Sequence, residues 1–192
     1  MKPTLTALLA TAALTIAAPV WAQTATAQFT AVTDTSFAQP DGERVISLST
    51  VIPVPPEAVW AALTTPEGWT THMGVALASV DLRIGGDIET SYSADTPLGS
   101  DGTIINQVVA YVPGRMLAIR NTRAPAGFAH AEEFSRTVTV IELTPQDGGT
   151  RVDLHGVGFV PGPAFDALHQ MFLVGDAYTL QLLHDSLSAT GR

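Results

Sequence analysis

The chain has 192 residues, contains no cysteine, and carries nine basic against 18 acidic side chains, for a formal net charge of −9. This length favours one domain, and the lack of cysteine excludes disulfides, thiol catalysis and thiolate metal sites. Lys2 is the only lysine, so a chain that loses its N-terminus cannot form a Schiff base by itself. The acidic balance disfavours binding to nucleic acid or to an anionic membrane.

Residues 1–22 have the pattern of a Sec-type signal peptide. Lys2 precedes an apolar run rich in alanine, threonine and leucine, and small side chains stand at Val20 and Ala22. The pattern predicts cleavage after Ala22 and a periplasmic or secreted protein. The alternative is a membrane anchor, but the run is short and diluted by alanine for a spanning helix. We therefore expect no stable membrane anchor.

Residues 23–43 are polar and rich in small side chains, which predicts an N-terminal tail with one short strand in "FTAV". Residues 44–189 form the predicted domain. Its first segment, "RVISLSTVI", is typical of a strand and ends before Pro53. Two short helices follow, in "VPPEAVWAAL", where Pro56 suits the first turn, and in "PEGWTTHMG".

Further strands are predicted between these helices and the C-terminal segment. They cover residues 76–82, 87–92, 102–111, 116–122, 137–143 and 150–159. Their connections are turn-like and no crossover helix separates them, so the sheet should be antiparallel. In "VDLRIGGDIET" a strand, not a helix, follows the glycine pair, which argues against a phosphate-binding loop. The pair instead predicts a two-residue hairpin turn at Gly85-Gly86.

The C-terminal segment shows helical spacing from Pro163 to about Ser188. The side chains at three- and four-residue intervals are Phe165, Leu168, Phe172, Gly175, Thr179, Leu182 and Ser186. This spacing predicts one helix of roughly 25 residues, about 37 Å long. Its inner face would mix large and small side chains, leaving space against a curved sheet.

Five segments carry a resemblance to a known family: "PPEAVWAALTTPEGW", "VDLRIGGDIE", "DGTIINQVVAYVPGRMLAI", "TVTVIELTPQDGGTRVDL" and "AYTLQLLHDSL". Together and in this order they resemble the SRPBCC superfamily, particularly its branch of activator of heat-shock-protein ATPase homologues. The resemblance implies an α+β helix-grip fold, also called START-like or birch-pollen-allergen-like. In that fold a curved antiparallel sheet of about six to seven strands grips a long C-terminal helix, with two short helices after the first strand.

The same resemblance implies a ligand cavity between the sheet and the long helix. The candidates for lining it are Trp69, His72, Met73, Tyr92, Phe159, Phe165, His169, Phe172 and Tyr178. Ordinary core packing is the alternative for each aromatic residue. His72, His169 and Tyr92 are the candidates for catalysis, because enzyme chemistry needs positioned acid and base groups.

The remaining histidines do not indicate a metal or cofactor site. Strand parity places His155 on the solvent side unless a bulge turns it inward. The "HAEE" segment, residues 130–133, is interpreted as a loop without metal-ligand spacing. We predict neither a metal nor a cofactor.

Three functions are compatible with these features. The favoured one is an exported SRPBCC-domain protein that binds a small apolar or neutral molecule in the cavity. The alternatives are a cyclase- or hydratase-type enzyme using the same cavity, and a protein-interaction module in the cell envelope. A co-chaperone function is not expected of an exported chain, because that function needs a cytosolic chaperone and ATP. The sequence leaves the oligomeric state open.

Overall fold

The structure is a computed structural model that describes residues 25–190. Its strands are β1 (Thr33–Asp34), β2 (Phe37–Ala38), β3 (Arg44–Ile52), β4 (Leu77–Val80), β5 (Asp87–Ser91), β6 (Ile104–Val112), β7 (Met116–Arg123), β8 (Val138–Gln146) and β9 (Gly149–Phe159). Its helices are α1 (Pro56–Thr64), α2 (Pro66–His72), α3 (Ala131–Phe134) and α4 (Pro163–Thr190). The predicted signal peptide lies outside the described residues.

The strands form one antiparallel sheet in the order β1-β3-β9-β8-β7-β6-β5-β4, with β2 also paired to β3. The α+β helix-grip fold is therefore confirmed. Seven of the nine strands are those predicted, and the two additional ones are two-residue strands in the N-terminal tail. Both pair with β3 and so follow its outer edge.

The predicted strand in "FTAV" is wrong. Residues 29–32 form a turn in which the N–H of Val32 donates to the carbonyl of Phe29, and the N–H of Phe29 donates to that of Thr26. These local bonds use the backbone groups that a strand would offer to a neighbour. Pairing with β3 begins only at Thr33.

The alternation of β3 explains which side of the sheet carries the core. Ile46, Leu48 and Ile52 are almost completely buried, whereas Val51 is exposed. Because successive side chains of a strand point to opposite faces, the even-numbered positions define the inner, concave face. The helix α4 lies on that face, and its closest backbone contacts with the sheet are to β3 and β9.

The predicted inner face of α4 is wrong in its second half. The buried side chains of the helix are Phe165, Leu168, His169, Leu173, Ala177, Leu180, Leu183 and Leu187. Gly175, which the sequence interpretation placed inside, is exposed. The true stripe keeps the 3.6-residue period through the leucines, so its members lie about one position away from the predicted ones. The inner face consequently consists mainly of leucine, not of small residues.

Contacts with other elements hold α4 near both ends. Arg44 of β3 forms an ion pair with Asp166 in the first turn. His72 Nδ1 lies 2.6 Å from Ser186 Oγ near the other end. No helix among residues 25–190 is long and apolar enough to cross a membrane.

The β4–β5 hairpin is present, but its predicted two-residue turn is wrong. The connection spans residues 81–86, and only Gly85 of the pair has a positive φ, 80°. At Gly86 a Cβ would lie 2.2 Å from the carbonyl oxygen of Asp81, so the close backbone approach requires glycine. The extra length lets Gly85 and Gly86 bond to Val108 of β6.

The "HAEE" segment also differs from its interpretation as a loop. It lies at the start of the single-turn helix α3, whose last residue, Phe134, is buried. Phe134 packs against Phe128 and Phe172, with ring centroids 5.6 and 5.7 Å apart. These contacts fix a helix too short for sequence periodicity to indicate.

Candidate functional site

The concave face is only partly covered by α4. The helix backbone approaches β3 and β9 but makes no comparable approach to β4, β5 or β6. On those strands, apolar side chains of the inner face remain partly buried rather than buried: Ala78, Val80 and Ile104. We use the name cleft for this incompletely buried part of the inner face, on β4–β6, together with the inner side of α4.

The register of β4–β6 shows which side chains line the cleft. Ile88 is fully buried and pairs with Val80 on one side and Asn106 on the other. Thr90 is two residues further along β5 and is opposite Ile104. Since residues paired across strands share a face, these positions all point toward the helix.

Asp176 is the acidic residue on the inner side of α4. It lies three residues after Leu173 and four before Leu180, both of which are buried. Its Oδ2 atom is buried and has no hydrogen-bond partner. Burial raises the pKa of Asp176 to about 7. A carboxyl group held without a partner beside the core costs folding free energy, which makes it a candidate functional group.

Tyr92 lies at the mouth of the cleft, on the inner side of β5 two residues beyond Thr90. It is 67% exposed, yet its pKa is raised, first by burial and then by the charges of Asp176 and Tyr178. The ring is therefore largely open to water but flanked by protein. The influence of Asp176 on this pKa places the two groups within electrostatic range of each other.

A second unpartnered acceptor lies deeper on the same face. Asn106 Oδ1 is buried and has no hydrogen-bond partner. Its cross-strand neighbour Asn121 is satisfied, because its Nδ2 donates to Thr137 Oγ1 at 2.5 Å. Two buried acceptor oxygens without a partner are therefore present, one on the inner face of the sheet and one on the inner side of α4.

Most of the other predicted cavity residues are found in the core. Trp69 is buried, and its Nε1 donates to the Leu63 carbonyl at 2.9 Å; Met73 is buried beside it at the end of α2. Phe165 is buried, with the guanidinium of Arg136 5.1 Å from its ring centroid. Whether any of them contacts a ligand stays a prediction.

Phe159 and Phe172, two further predicted cavity residues, pack against each other. Phe159 is fully buried, and its ring centroid is 5.7 Å from that of Phe172. Phe172 is only partly buried and also contacts Phe134. Tyr178, which is half exposed, instead contacts Phe29 of the N-terminal segment at 6.2 Å.

The two predicted catalytic histidines are not brought together. His72 bonds to Ser186, and burial lowers its pKa. His169 packs edge-on against Phe159 at 5.2 Å, and its pKa is lowered to about 4, mainly by burial and then by the charge of Arg44. The 17 residues of α4 that separate His169 from Ser186 correspond to about 25 Å of helix. One substrate atom cannot be within hydrogen-bond reach of both histidines.

Other polar groups of interest lie outside the cleft. His155 Nε2 is 3.9 Å from Glu142 Oε2 on the outer face of the sheet. In the described part of the chain, no three His, Asp or Glu side chains are grouped closely enough to hold a metal ion.

Tyr92 is among the residues predicted for the site, whereas Asp176 and Asn106 are not. The signal for Asp176 was available, since it is the acidic residue in register with the stripe of buried leucines. The predicted stripe passed through Gly175 and Thr179, and this phase error hid it. No comparable sequence signal marks Asn106, because an asparagine is ordinarily exposed.

Residues 43–182 match the protein family described as "Polyketide cyclase / dehydrase and lipid transport". No curated protein matches the chain.

Several solved structures share the fold. Protein MLL2253 from Mesorhizobium loti has a TM-score of 0.60 and 22% identity, with 77% of this chain and 98% of that chain covered. Protein NE0264 from Nitrosomonas europaea has a TM-score of 0.57 and 23% identity, covering 76% and 95%. The Aha1 dimer from Colwellia psychrerythraea has a TM-score of 0.57 and 19% identity, covering 75% and 96%.

These similarities agree with the order of motifs in the sequence and with the helix-grip architecture. The resemblance to SRPBCC proteins is confirmed by the family match, and the Aha1 structure shares the fold. The chain belongs to the polyketide cyclase, dehydrase and lipid-transport family of the SRPBCC superfamily.

Proposed function

We propose that this protein is an exported ligand-binding domain that holds a small, mainly apolar molecule in the cleft. The observation that carries the proposal is the unpartnered, buried Oδ2 of Asp176 on the inner side of α4. A ligand donor that bonds to this oxygen would offset the cost of burying it. Family membership supports a ligand-binding domain in general terms.

The cleft supplies both kinds of contact that a small-molecule site needs. Val80 and Ile104 are only partly buried on its sheet side, and covering their remaining apolar surface contributes about 25 cal/mol per Å². Asp176 and Asn106 supply few, oriented polar contacts in mainly apolar surroundings. Because their acceptor oxygens are already removed from water, a ligand donor that bonds to them meets little further desolvation cost.

Export is the second part of the proposal. It is supported by the sequence pattern of residues 1–22, with Val20 and Ala22 at the small positions of a cleavage site. The intact mass of the protein recovered from the periplasm of a bacterial host tests this directly. We expect a chain that begins at Gln23, and a full-length chain retained in the cytoplasm would contradict export.

An enzyme using the same cleft is the second candidate. The observation that favours it is the buried Oδ2 of Asp176 without a partner, because the pKa of this group, about 7, suits a general acid or base near neutral pH and its charge also raises the pKa of Tyr92. Turnover of a ligand recovered from the protein would distinguish this candidate from a carrier. In that case Asp176→Asn and Tyr92→Phe should each lower kcat, whereas a carrier would return the ligand unchanged.

Binding in the cleft can be tested with a neutral apolar fluorophore such as diphenylhexatriene. The protein should enhance its fluorescence at a fixed stoichiometry. Ile104→Trp fills the cleft from the partly buried inner face of β6 and should weaken binding at least about tenfold, which is the scale of burying one large apolar side chain. The control is Val51→Trp, which adds the same side chain on the exposed outer face of β3 and should leave binding unchanged.

Equal effects of the two tryptophan variants would contradict binding in the cleft. Native mass spectrometry of the gently purified protein adds an independent readout. A reproducible small-molecule adduct that is lost on denaturation would support the proposal. Absence of an adduct together with absence of fluorophore binding would overturn it.

A further inference from the structure

We infer that the ligand carries a protonated amine at the polar end of an apolar body, and that Asp176 binds this amine. The inference rests on the proposed function and deepens it, because it names the chemical class of the ligand. It concerns a property that neither the family nor the fold specifies.

The buried polar groups of the cleft determine which hydrogen bonds a ligand can form there. When Asp176 is ionised, its Oδ2 and Asn106 Oδ1 are both buried acceptors, and neither has a partner. A ligand that satisfies them must therefore donate hydrogen bonds. An ammonium group offers three donors and no acceptor, as a lysine side chain does.

Among the described residues, no basic side chain is available to form an ion pair with Asp176. No lysine follows Lys2 in the sequence. Among the described arginines, Arg44, Arg83, Arg123 and Arg151 form ion pairs with carboxylates, Arg136 lies over Phe165, and Arg115 and Arg120 are exposed. The positive charge that an ionised Asp176 lacks must come from outside the described residues.

Common anionic lipids are not suitable ligands for the cleft. A fatty acid or a phosphate ester would place its negative charge beside a carboxyl group in a region with no compensating cation. Like charges at such short range repel strongly when water is excluded. The cleft therefore selects against anionic head groups as well as for cationic ones.

Other titratable groups do not compete for this role. The elements packed against α4 carry Arg44 on β3, Glu57 on α1, Glu67 and His72 on α2, Glu132 and Glu133 on α3, and Arg151, Asp153 and His155 on β9. Arg44 pairs with Asp166 at the start of α4 and His72 bonds to Ser186 near its end. The others are wholly or partly exposed to solvent.

Two further titratable groups, His169 and Tyr92, lie near the cleft. His169 lies two turns before Asp176 on the same side of α4, and its pKa near 4 keeps it neutral above pH 5. Tyr92 has a raised pKa and is neutral in the same range. Asp176 is thus the group whose charge changes between pH 6 and 8 inside this region.

The experiment compares three ten-carbon probes that differ only in the head group: decylamine, decanol and decanoate. Each competes against bound diphenylhexatriene at pH 8 and 150 mM salt, below its micelle concentration. We expect decylamine to bind more tightly than decanol, and decanoate to bind most weakly. The salt limits unspecific attraction of the amine to the acidic surface.

The dependence on pH identifies the group that is responsible. The amine stays protonated between pH 6 and 8, whereas Asp176 changes from mainly neutral to mainly ionised around its pKa of about 7. Decylamine affinity should therefore rise roughly tenfold from pH 6 to pH 8. Decanol affinity should change far less.

The matched variants are Asp176→Asn and Asp147→Asn. Both remove one negative charge, but Asp147 is exposed in the β8–β9 turn. Asp176→Asn should abolish the pH dependence and weaken decylamine at least about tenfold at pH 8, the scale expected for losing a charged hydrogen bond. Asp147→Asn should behave as the unaltered protein, and circular dichroism should show that both variants fold.

The possible failures are distinguishable. If the fluorophore binds but decanol competes as well as decylamine at every pH, the amine inference is wrong and the proposed function stands. If Asp147→Asn reproduces the effect of Asp176→Asn, unspecific surface charge explains the preference and the inference is again wrong. If neither the fluorophore nor any probe binds, the proposed function is wrong and the inference is overturned with it.

Discussion

Asp176 and His169 have opposite effects on how the stability of the folded protein changes as pH rises. Burial raises the pKa of Asp176 to about 7, so ionising it disfavours the folded state. Burial lowers the pKa of His169 to about 4, so protonating it also disfavours the folded state. As pH rises from 4 to 6.5 the histidine therefore adds stability, while the carboxyl group removes stability from about pH 4 to 7.

Asp176→Asn should stabilise the protein at pH 8 and change little at pH 4. In the folded protein the carboxyl must ionise against a raised pKa, whereas in the unfolded chain it ionises near its ordinary value of 3.8. Stability is thus lost as pH rises through this window, at about 1.4 kcal/mol for each unit of the shift. The variant should gain on the order of a few kcal/mol at pH 8, measured by urea unfolding without ligand.

Asp147→Asn again serves as the control and should leave stability nearly unchanged at both pH values. Equal stability of Asp176→Asn and the unaltered protein at pH 8 would mean that the carboxyl group is solvated. The ligand argument would then lose its main support.

The same residues show why a site is harder to predict than a fold. Tyr92 could be named because an aromatic residue that follows a strand in this family pattern is conspicuous. Asp176 could not, because its burial depends on the rotation of α4, and one residue of phase is 100° around a helix. The unpartnered state of Asn106 depends on three neighbouring strands and a register that no single segment encodes.

At the scale of the element, α4 offers a direct test of its true inner face. Gly175→Ala should stabilise the protein by about 0.5–1 kcal/mol, because alanine favours a helix interior over glycine. An added Cβ at Gly175 would meet nothing within 4 Å. The change should raise Tm by roughly 2–3 °C for a domain of this size, which differential scanning fluorimetry can measure.

Ala177→Gly is the matched reverse change on the buried side of the same helix turn. It removes a buried methyl group as well as helix propensity, so it should destabilise the protein by about 2 kcal/mol. If Gly175→Ala destabilised the protein instead, Gly175 would face the sheet as the sequence spacing indicated.

Elements were easier to predict than their connections. The limits of β3 follow from alternation up to Pro53, and the first turns of α1 and α2 follow from Pro56 and Pro66. The β4–β5 turn and the "FTAV" segment were missed because hydrogen bonds to other parts of the backbone decide them. Gly85 bonds to β6 across the sheet, which the hairpin sequence itself does not reveal.

At the scale of the whole molecule, the N-terminal segment covers one edge of the sheet. β1 and β2 pair with β3, and the N–H of Ala31 donates to Gln181 Oε1 of α4 at 2.9 Å. Without residues 23–43, the nine-residue strand β3 would offer unpaired backbone groups along its outer edge. We expect this truncation to cause self-association, visible as an earlier peak in size-exclusion chromatography.

Phe29→Ala separates edge cover from packing. It removes the ring that contacts Tyr178 but leaves β1 and β2 in the chain. It should lower stability while keeping the oligomeric state of the unaltered protein. Unchanged elution of the truncated chain would show that β3 does not need this cover.

The overall fold was predictable because the order of soft motifs along the chain is more specific than any one of them. One strand, two proline-initiated helices, an antiparallel run and a long final helix leave few ways to bury every apolar face. The number of strands differed only where two-residue strands rely on β3 for their pairing.

The pairing of β3 with β9 has a consequence for how the chain acquires this structure. Arg44 is opposite Phe159 and Ile52 is opposite Thr150, so the first long strand of the domain must wait for the last. Closing a contact between segments so far apart in the sequence costs more chain entropy than forming a local hairpin. Until the final quarter of the chain, which contains β9, is available, the sheet that covers the core is incomplete. For the export proposed above this delay is favourable, because a chain that crosses a membrane unfolded could form this native structure only after translocation is nearly finished.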